Sequence, residues 1–531
     1  MYSEVKTILI RGVDGLLVNV EAHLNKGLHK FSIVGLPDRA VSEAKERVLG
    51  AMQNSGISVP YGHLLVNLNP AHIVKTGTAC DLPVAAALML LNESLASANK
   101  LDLNAYGFIG ELSLTGDLVV PDGWVGLVQE ASRLGLKGLI GPKLEIVPAG
   151  LDYVVIDCLK ELVKLMQAGR DGYVSAGNNL AKVSIVSKLA SRKQPEGALE
   201  AISALRSSPL AERLVLICAA GGHSLLLDGT PGTGKTTFLS VLDQISPQLT
   251  ESQAWEIAKL YQLAGQQLPG DRPPLRQPHH SASRAAILGG GANPTPGEVS
   301  LAHHGYLLLD EIAEFSRETL EALRQPLIDG KVHITRVGYK VTFPARFTLL
   351  ATRNGCPCGW YGDPSGRCSC NHLQVSAYQK RLSGALLDRI DLKCRFDSPL
   401  GKFGKDPHIS TPITTYLESL QAKVQAARAI QQQRWQTIGL NKQNNTNLLL
   451  NAHYNNPFDL APLKITPKAL SALKDLTARI SSNSTATSDN THSISHRTRF
   501  KIIKIARTIA DLDASNTVTE AHIAEATAYN G

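Results

Sequence analysis

The pattern of apolar and polar positions divides the 531-residue chain into three stretches of different character. Residues 1–170 alternate strand-like and helix-like runs punctuated by glycine. Stretches 31–35 and 63–68 read as strands, and 40–54 and 82–91 as helices. A middle stretch carries three short apolar runs, at 223–227, 306–309 and 347–352. Each is bounded by turn or polar residues and predicts a buried strand. The last stretch is helical. Leu417, Leu420, Val424 and Ala427 share one face of 417–438, and Ile502, Ile505, Ile509 and Leu512 share one face of 497–512. A further amphipathic helix is expected over 467–481. Seven of the sixteen residues from Asn441 to Asn456 are asparagine, and 481–493 is rich in Ser, Thr and Asn, which predicts loops.

These shifts suggest four segments: an N-terminal domain over 1–172, a linker over 173–205, an α/β domain over 206–398 and a helical lid over 399–531. The longest apolar run, Leu82 to Leu91, is about half of what crosses a bilayer, so no membrane partner is expected. With no signal-peptide pattern at the start, the expectation is a cytoplasmic protein. Net charge is +8, and residues 401–531 hold fifteen Lys/Arg against nine Asp/Glu. That balance is compatible with a polyanionic partner without requiring one.

The first strand of the middle stretch runs into Gly229-Thr230-Pro231-Gly232-Thr233-Gly234-Lys235-Thr236, and a helix-like run follows. This is the G-x-x-x-x-G-K-[ST] phosphate loop in its strand–turn–helix setting. Its glycines let backbone N–H groups close on phosphates, and the start of the helix adds partial positive charge. Lys235 would reach the β- and γ-phosphates of ATP, Thr236 would ligate Mg²⁺, and Thr237 completes the set. About 75 residues on, the second strand ends in Asp310-Glu311. Asp310 would hold the Mg²⁺ and Glu311 would polarise the attacking water. The third strand leads to Asn354, an amide suited to contacting the γ-phosphate or that water. Arg389, in a short helical turn, is placed as the arginine that ring ATPases extend to a neighbouring site. Its alternative is a surface ion pair with Asp388 or Asp391.

Four segments then point to a family: 278–283 (Pro-His-His-Ser-Ala-Ser), 289–294 (Gly-Gly-Gly-Ala-Asn-Pro), 296–303 (Pro-Gly-Glu-Val-Ser-Leu-Ala-His) and 323–327 (Leu-Arg-Gln-Pro-Leu). The chain resembles the magnesium-chelatase-like AAA+ family and, within it, the ComM/YifB branch. The resemblance implies a P-loop AAA+ core and a homo-oligomer, a hexamer, that drives DNA branch migration during natural transformation. It also places Arg497, in Ser495-His496-Arg497-Thr498, as a lid arginine at the γ-phosphate. Pore-lining insertions would be 278–297 and the hairpin 330–340. In that hairpin Lys331, Arg336 and Lys340 offer charge to DNA phosphates and Tyr339 a surface for base stacking. A solvated hairpin without a ligand is the plain alternative. The stretch 194–216 lacks the family's usual adenine-seating residues, and Thr352-Arg353-Asn354-Gly355 stands where the family has Met-Asn-Pro. The rival reading is a chelatase-like motor that remodels a protein partner for metal insertion.

Stretches 75–83 and 110–116 resemble a Lon-protease-like α+β domain. The positions of its serine and lysine fall on Ala79 and Val125, so a non-proteolytic domain is expected. Cys356-Pro357-Cys358 and Cys368-Ser369-Cys370 bracket a glycine-rich loop, and four thiolates there suggest Zn²⁺, with His372 as a possible substitute ligand. The other four cysteines read as core. Arg499, Lys501, Lys504 and Arg507 read as a solvated basic face.

Overall fold

Strand alternation builds two sheets in the computed structural model, which describes residues 1–75, 77–173, 184–189, 198–206, 208–291, 294–336, 339–363, 366–396, 412–438, 450–482 and 495–529. The chain forms two compact units, Met1–Leu189 with Ala254–Leu268, and Ala190–Gln253 with Pro269–Gly531. The predicted 398/399 boundary, most of the Asn-rich stretch and 483–494 lie outside the described residues.

The first unit holds strands β1 (Tyr2–Arg11), β2 (Asp14–Asn25), β3 (Lys30–Val34), β4 (His63–Asn69), β5 (Tyr106–Phe108), β6 (Gly138–Gly141) and β7 (Asp152–Val155). They form one mixed sheet in the order β3-β4-β2-β1-β5-β6-β7. Helix α1 (Arg39–Asn54) turns Val41, Ala44, Val48, Ala51 and Met52 inward at helical spacing. Helix α2 (Asp81–Met89) is buried on all sides, which explains its unbroken apolar sequence. Its one acid, Asp81, is held by two hydrogen bonds from Arg47, at 2.7 and 2.9 Å, and one from the Leu112 N–H.

In the second unit, β8 (Leu225–Gly229), β9 (Leu275–Arg276), β10 (Tyr306–Leu309), β13 (Thr348–Arg353) and β14 (Leu392–Phe396) form a parallel sheet. Strands β11 (Lys331–Arg336) and β12 (Tyr339–Pro344) pair separately as an antiparallel hairpin. The sheet order is β9-β10-β13-β8-β14. Consecutive residues of β8 feed opposite faces: Leu225 and Leu227 enter one apolar cluster and Leu226 another. A parallel sheet covered on both faces needs such apolar runs, which is why the three middle stretches carry little alternation. Helices α3 (Pro209–Gly221), α4 (Lys235–Ile245), α5 (Ile413–Thr437) and α6 (His496–Leu512) supply the cover on the Leu225 side.

One expectation is overturned here. Lys501, Lys504 and Arg507 are buried rather than solvated. Lys501 donates to the Ile390 carbonyl and Lys504 to the Ala452 carbonyl, each at 2.8 Å. Arg507 lies between Asp511 and the Ser515 and Asn516 carbonyls. Their charges are satisfied internally, so basic residues on this helix fix the packing of the helical segments.

Candidate nucleotide site at the carboxyl edge of the parallel sheet

The register of the parallel sheet brings three chain segments to one edge. Asp228 of β8 lies opposite Arg353 of β13, and Leu309 of β10 lies opposite Ala351. The phosphate loop, Asp310-Glu311 and Asn354 therefore leave the sheet side by side, where ligands of open α/β sheets bind.

The loop is shaped for an anion. Gly232 (φ +75°) and Gly234 (φ +81°) adopt left-handed conformations that other residues resist. Gly234 caps α4 without a side-chain hydrogen bond, so the first N–H groups of an eleven-residue helix remain for a ligand. A side chain at Gly232 would meet no atom within 4 Å, which leaves the loop open on that side. Lys235 Nζ donates to the carbonyls of Gly229 (2.8 Å) and Thr230 (2.9 Å) and to Asn354 Oδ1 (3.3 Å). Burial lowers the Lys235 pKa, while Asp310, Asp228 and Glu311 oppose that shift.

Asn354 continues the chain of contacts, donating through Nδ2 to Glu311 Oε1 at 3.3 Å. Glu311 sits at φ +50°, a conformation rare for a residue with a Cβ. Its N–H donates to Thr352 Oγ1 at 2.9 Å, and the Thr352 hydroxyl donates in turn to Asp310. Lys235, Asn354, Glu311, Thr352 and Asp310 thus form one connected set. In the sequence Thr352 reads only as a strand residue. Its pattern signal, a hydroxyl closing an apolar strand, is too common to have marked it. The side chains of Thr236 and Thr237 lie outside the described residues.

Arg353, which departs from the family pattern, has a visible task. It makes two 2.6 Å hydrogen bonds to Asp228, its register partner on the neighbouring strand. The exchange leaves Asn354 in its place and ties β8 to β13 beside the phosphate loop.

Arg389 and Arg497 are elsewhere. Both line a cavity of about 450 Å³ against Gly222, Ser224 and Phe347, the residues that lead into β8 and β13. They belong to the amino edge of the sheet, separated from the phosphate loop by about 16 Å of strand at 3.3 Å per residue. Asp391 is not the partner of Arg389; it accepts hydrogen bonds from the Ser224 N–H at 3.3 Å and faces His223 Nδ1 at 3.4 Å. Arg389 donates to the Ala385 carbonyl, and its Nε is buried without a hydrogen-bond partner. Burial, then Arg497 and Arg324, lowers its pKa, with Asp388 and Glu321 acting against them. Arg346 lines the same cavity and also has a buried nitrogen, Nη1, without a partner. Arg497 is exposed there and is not beside the phosphate loop of its own chain.

The β11–β12 hairpin is two-faced. Val332, Val341 and Phe343 are buried, while Lys331, His333, Thr335 and Lys340 are exposed. Thr335 pairs with Lys340, so Lys331 and Lys340 share the outward face. The side chains of Arg336 and Tyr339 lie outside the described residues. The four cysteine sulfurs lie within 4.8 Å of one another, and His372 is not among them.

Three family models match the chain: magnesium chelatase subunit ChlI over residues 202–400, subunit ChlI of Mg-chelatase over 20–145 and the ChlI C-terminal model over 416–530. The chain is 35% identical to YifB of Escherichia coli, a protein named as uncharacterized, over 99% of this chain and 96% of that one. It is 33% identical to competence protein ComM of Haemophilus influenzae, over 98% and 95% of the two chains. The chain belongs to the ComM/YifB family of magnesium-chelatase-like proteins. A shorter likeness, 26% identity over 33% of the chain, is to the DNA replication licensing factor Mcm2 of Drosophila melanogaster, of which it covers 17%. Membership in the ComM/YifB family places the parallel-sheet unit among AAA+-type modules that use ATP and Mg²⁺. Among the described residues no helix is long and apolar enough to cross a membrane.

Proposed function

We propose that this ComM/YifB-family chain is an ATP-driven DNA motor that assembles as a ring, a hexamer, and promotes branch migration during recombination of incoming DNA. The observation that carries the reading is that the candidate nucleotide-binding groups and two of the predicted arginines lie at opposite edges of a single sheet. The carboxyl edge presents the phosphate loop, a carboxylate pair and an amide. The amino edge presents Arg389, whose Nε is buried without a hydrogen-bond partner, and the exposed Arg497. A chain whose arginines face away from its own loop needs a neighbour, and stacking copies edge to edge around a ring supplies one.

In this reading Lys235 and the loop N–H groups hold the β- and γ-phosphates. Thr236 and Asp310 would hold Mg²⁺, which when bound would supply positive charge to the phosphates. Glu311 accepts a proton from the attacking water, and its hydrogen bond from Asn354 aims the carboxylate. Asn354 bridges Lys235 and Glu311, so the amide senses whether the lysine is on phosphate or on the loop carbonyls. Arg389 of one copy, with Arg497, would meet the charge that develops at the next copy's γ-phosphate.

DNA as the cargo is supported by the outward basic face of the β11–β12 hairpin and by the names of two relatives, a competence protein and a replication licensing factor. The first unit is proposed as a Lon-like, non-proteolytic platform. Ala79 and Val125 are buried and carry no nucleophile or base. The adjacent Cys80 thiol is pushed up to about 12 by burial, which withholds the thiolate. The C-terminal helices are proposed as the lid, with Arg497 at its rim.

The test is a three- or four-strand junction assay with purified protein and ATP at low salt. ATP-dependent strand exchange, with hydrolysis stimulated by DNA, is expected. No exchange, together with a hydrolysis rate indifferent to every DNA form, would favour the protein-remodelling motor instead.

A further inference from the structure

The segment that leaves Asn354 runs through all four clustered cysteines within sixteen residues. Cys356 Sγ lies 3.2 Å from Cys358 Sγ, and both lie 3.7 Å from Cys368 Sγ. Tetrahedral zinc with Zn–S bonds of about 2.3 Å places its sulfurs about 3.8 Å apart, so the spacing leaves room for one ion. All four cysteines are free thiols, and S–H groups are weak hydrogen-bond donors that give little reason for four of them to converge. The loop between the pairs is braced independently. Arg367, next to Cys368, stacks over Trp360 at 4.1 Å and pairs with Asp363 at 3.0 Å. Gly359 and Gly362 take left-handed conformations to make the turn.

The knuckle is laid against the nucleotide site. A Cβ at Gly359 would sit 2.5 Å from Cγ of Pro231, in the phosphate loop itself. A Cβ at Gly362 would fall within the guanidinium of Arg395, which lies opposite Asp228 on β14. The knuckle backbone therefore packs on the phosphate loop and on the end of the strand beside it. Asn354, two residues before Cys356, contacts Lys235.

We propose that Cys356, Cys358, Cys368 and Cys370 form a structural zinc site, and that the ion holds the knuckle against Pro231 so that zinc and nucleotide reinforce each other's binding. Zinc would tie together the two ends of a nine-residue loop that holds three glycines, and binding energy of this kind is folding energy. The phosphate loop has no other glycine-close contact of this sort among the described residues of 355–370. Coupling is reciprocal: bound nucleotide should slow zinc loss as much as zinc tightens nucleotide. The coupling half rests on the nucleotide reading of 229–236; the metal half does not.

The experiment uses the full-length protein purified without chelator. Elemental analysis should give about one zinc per chain, and X-ray absorption should show four sulfur ligands at about 2.3 Å. Chelation of zinc under reducing conditions should weaken binding of a fluorescent ATP analogue about tenfold, and added zinc should restore it. A second variant guards against simple unfolding. Gly359→Val keeps all four thiols, and should retain zinc yet bind the analogue about tenfold more weakly, because its Cβ displaces Pro231. Protein without zinc, or zinc without sulfur ligands, overturns the metal site. Full zinc with affinity unchanged by chelation and by Gly359→Val overturns the coupling. Zinc-loaded protein that binds no nucleotide overturns the nucleotide assignment and the coupling with it, and leaves the metal site standing.

Discussion

The two edges of the parallel sheet are built from the same five strands and carry opposite chemistry. At the carboxyl edge one lysine faces Asp310, Asp228 and Glu311, and almost every polar group is tied to another. At the amino edge Arg346, Arg389 and Arg497 gather in one cavity, and two of them hold buried nitrogens without partners. A self-sufficient site would balance charge within one edge. Here each edge has what the other lacks, and the charge left over at the amino edge is suited to a phosphate that its own loop is too far away to present. On the proposed reading, the functional unit is an interface between copies rather than a single chain.

The largest effect that would sharpen this contrast comes from the amino edge. Arg389→Ala should lower ATP turnover about a thousandfold while leaving nucleotide affinity nearly unchanged, since in the proposed ring the residue would reach only a neighbour's site. Steady-state hydrolysis and analogue titration check this. A loss confined to affinity would mean that Arg389 serves its own loop.

At the carboxyl edge, Glu311→Gln should lower turnover about a hundredfold or more with ATP still bound, because an amide cannot accept the proton of water. Lys235→Ala should instead weaken binding of the nucleotide. Parental turnover in Glu311→Gln would show that the network around Asn354 serves packing alone.

Smaller effects are expected beyond the edges. Replacing Lys331 and Arg336 together with Ala should abolish stimulation of hydrolysis by DNA and keep the basal rate. The slope of log affinity against log salt should fall by roughly two, one for each lost phosphate contact. An unchanged slope would remove the hairpin from the DNA path.

Much of this was legible in the chain, and what escaped it did so for physical reasons. The loop, Asp310-Glu311 and Asn354 announce themselves because their chemistry needs fixed residue types directly after apolar strands. The pairing of Arg353 with Asp228 depends on strand register, which no local pattern reports. Lys501, Lys504 and Arg507 look solvated because burial of a cation depends on carbonyls such as Ile390, Ala452 and Ser515, distant or unmarked in sequence. The amino-edge cavity is invisible for the same reason: Arg346, Arg389 and Arg497 come from three separate segments.

The smallest predicted effect tests the cationic character of that cavity. His453 lines it, and burial first, then Arg346 and His304, press its imidazole down to about 3. The folded protein therefore keeps His453 neutral where the unfolded chain takes up a proton below about pH 6.5. The unfolded state binds more protons there, so stability falls as pH drops from 6.5 toward 3. The melting temperature should decline over that window, and less steeply in His453→Gln. Equal slopes for the two proteins would show that the cavity does not exclude the proton.

The shared site itself is tested by mixing two inactive chains. Glu311→Gln keeps an intact amino edge, and Arg389→Ala keeps an intact carboxyl edge. In the proposed ring, a complete site would form wherever the carboxyl edge of Arg389→Ala faces the amino edge of Glu311→Gln. Mixed before assembly, they should hydrolyse ATP at a substantial part of the parental rate although each alone is nearly inert. A mixture that assembles into rings and remains as inactive as its components would contradict the division of the site between copies.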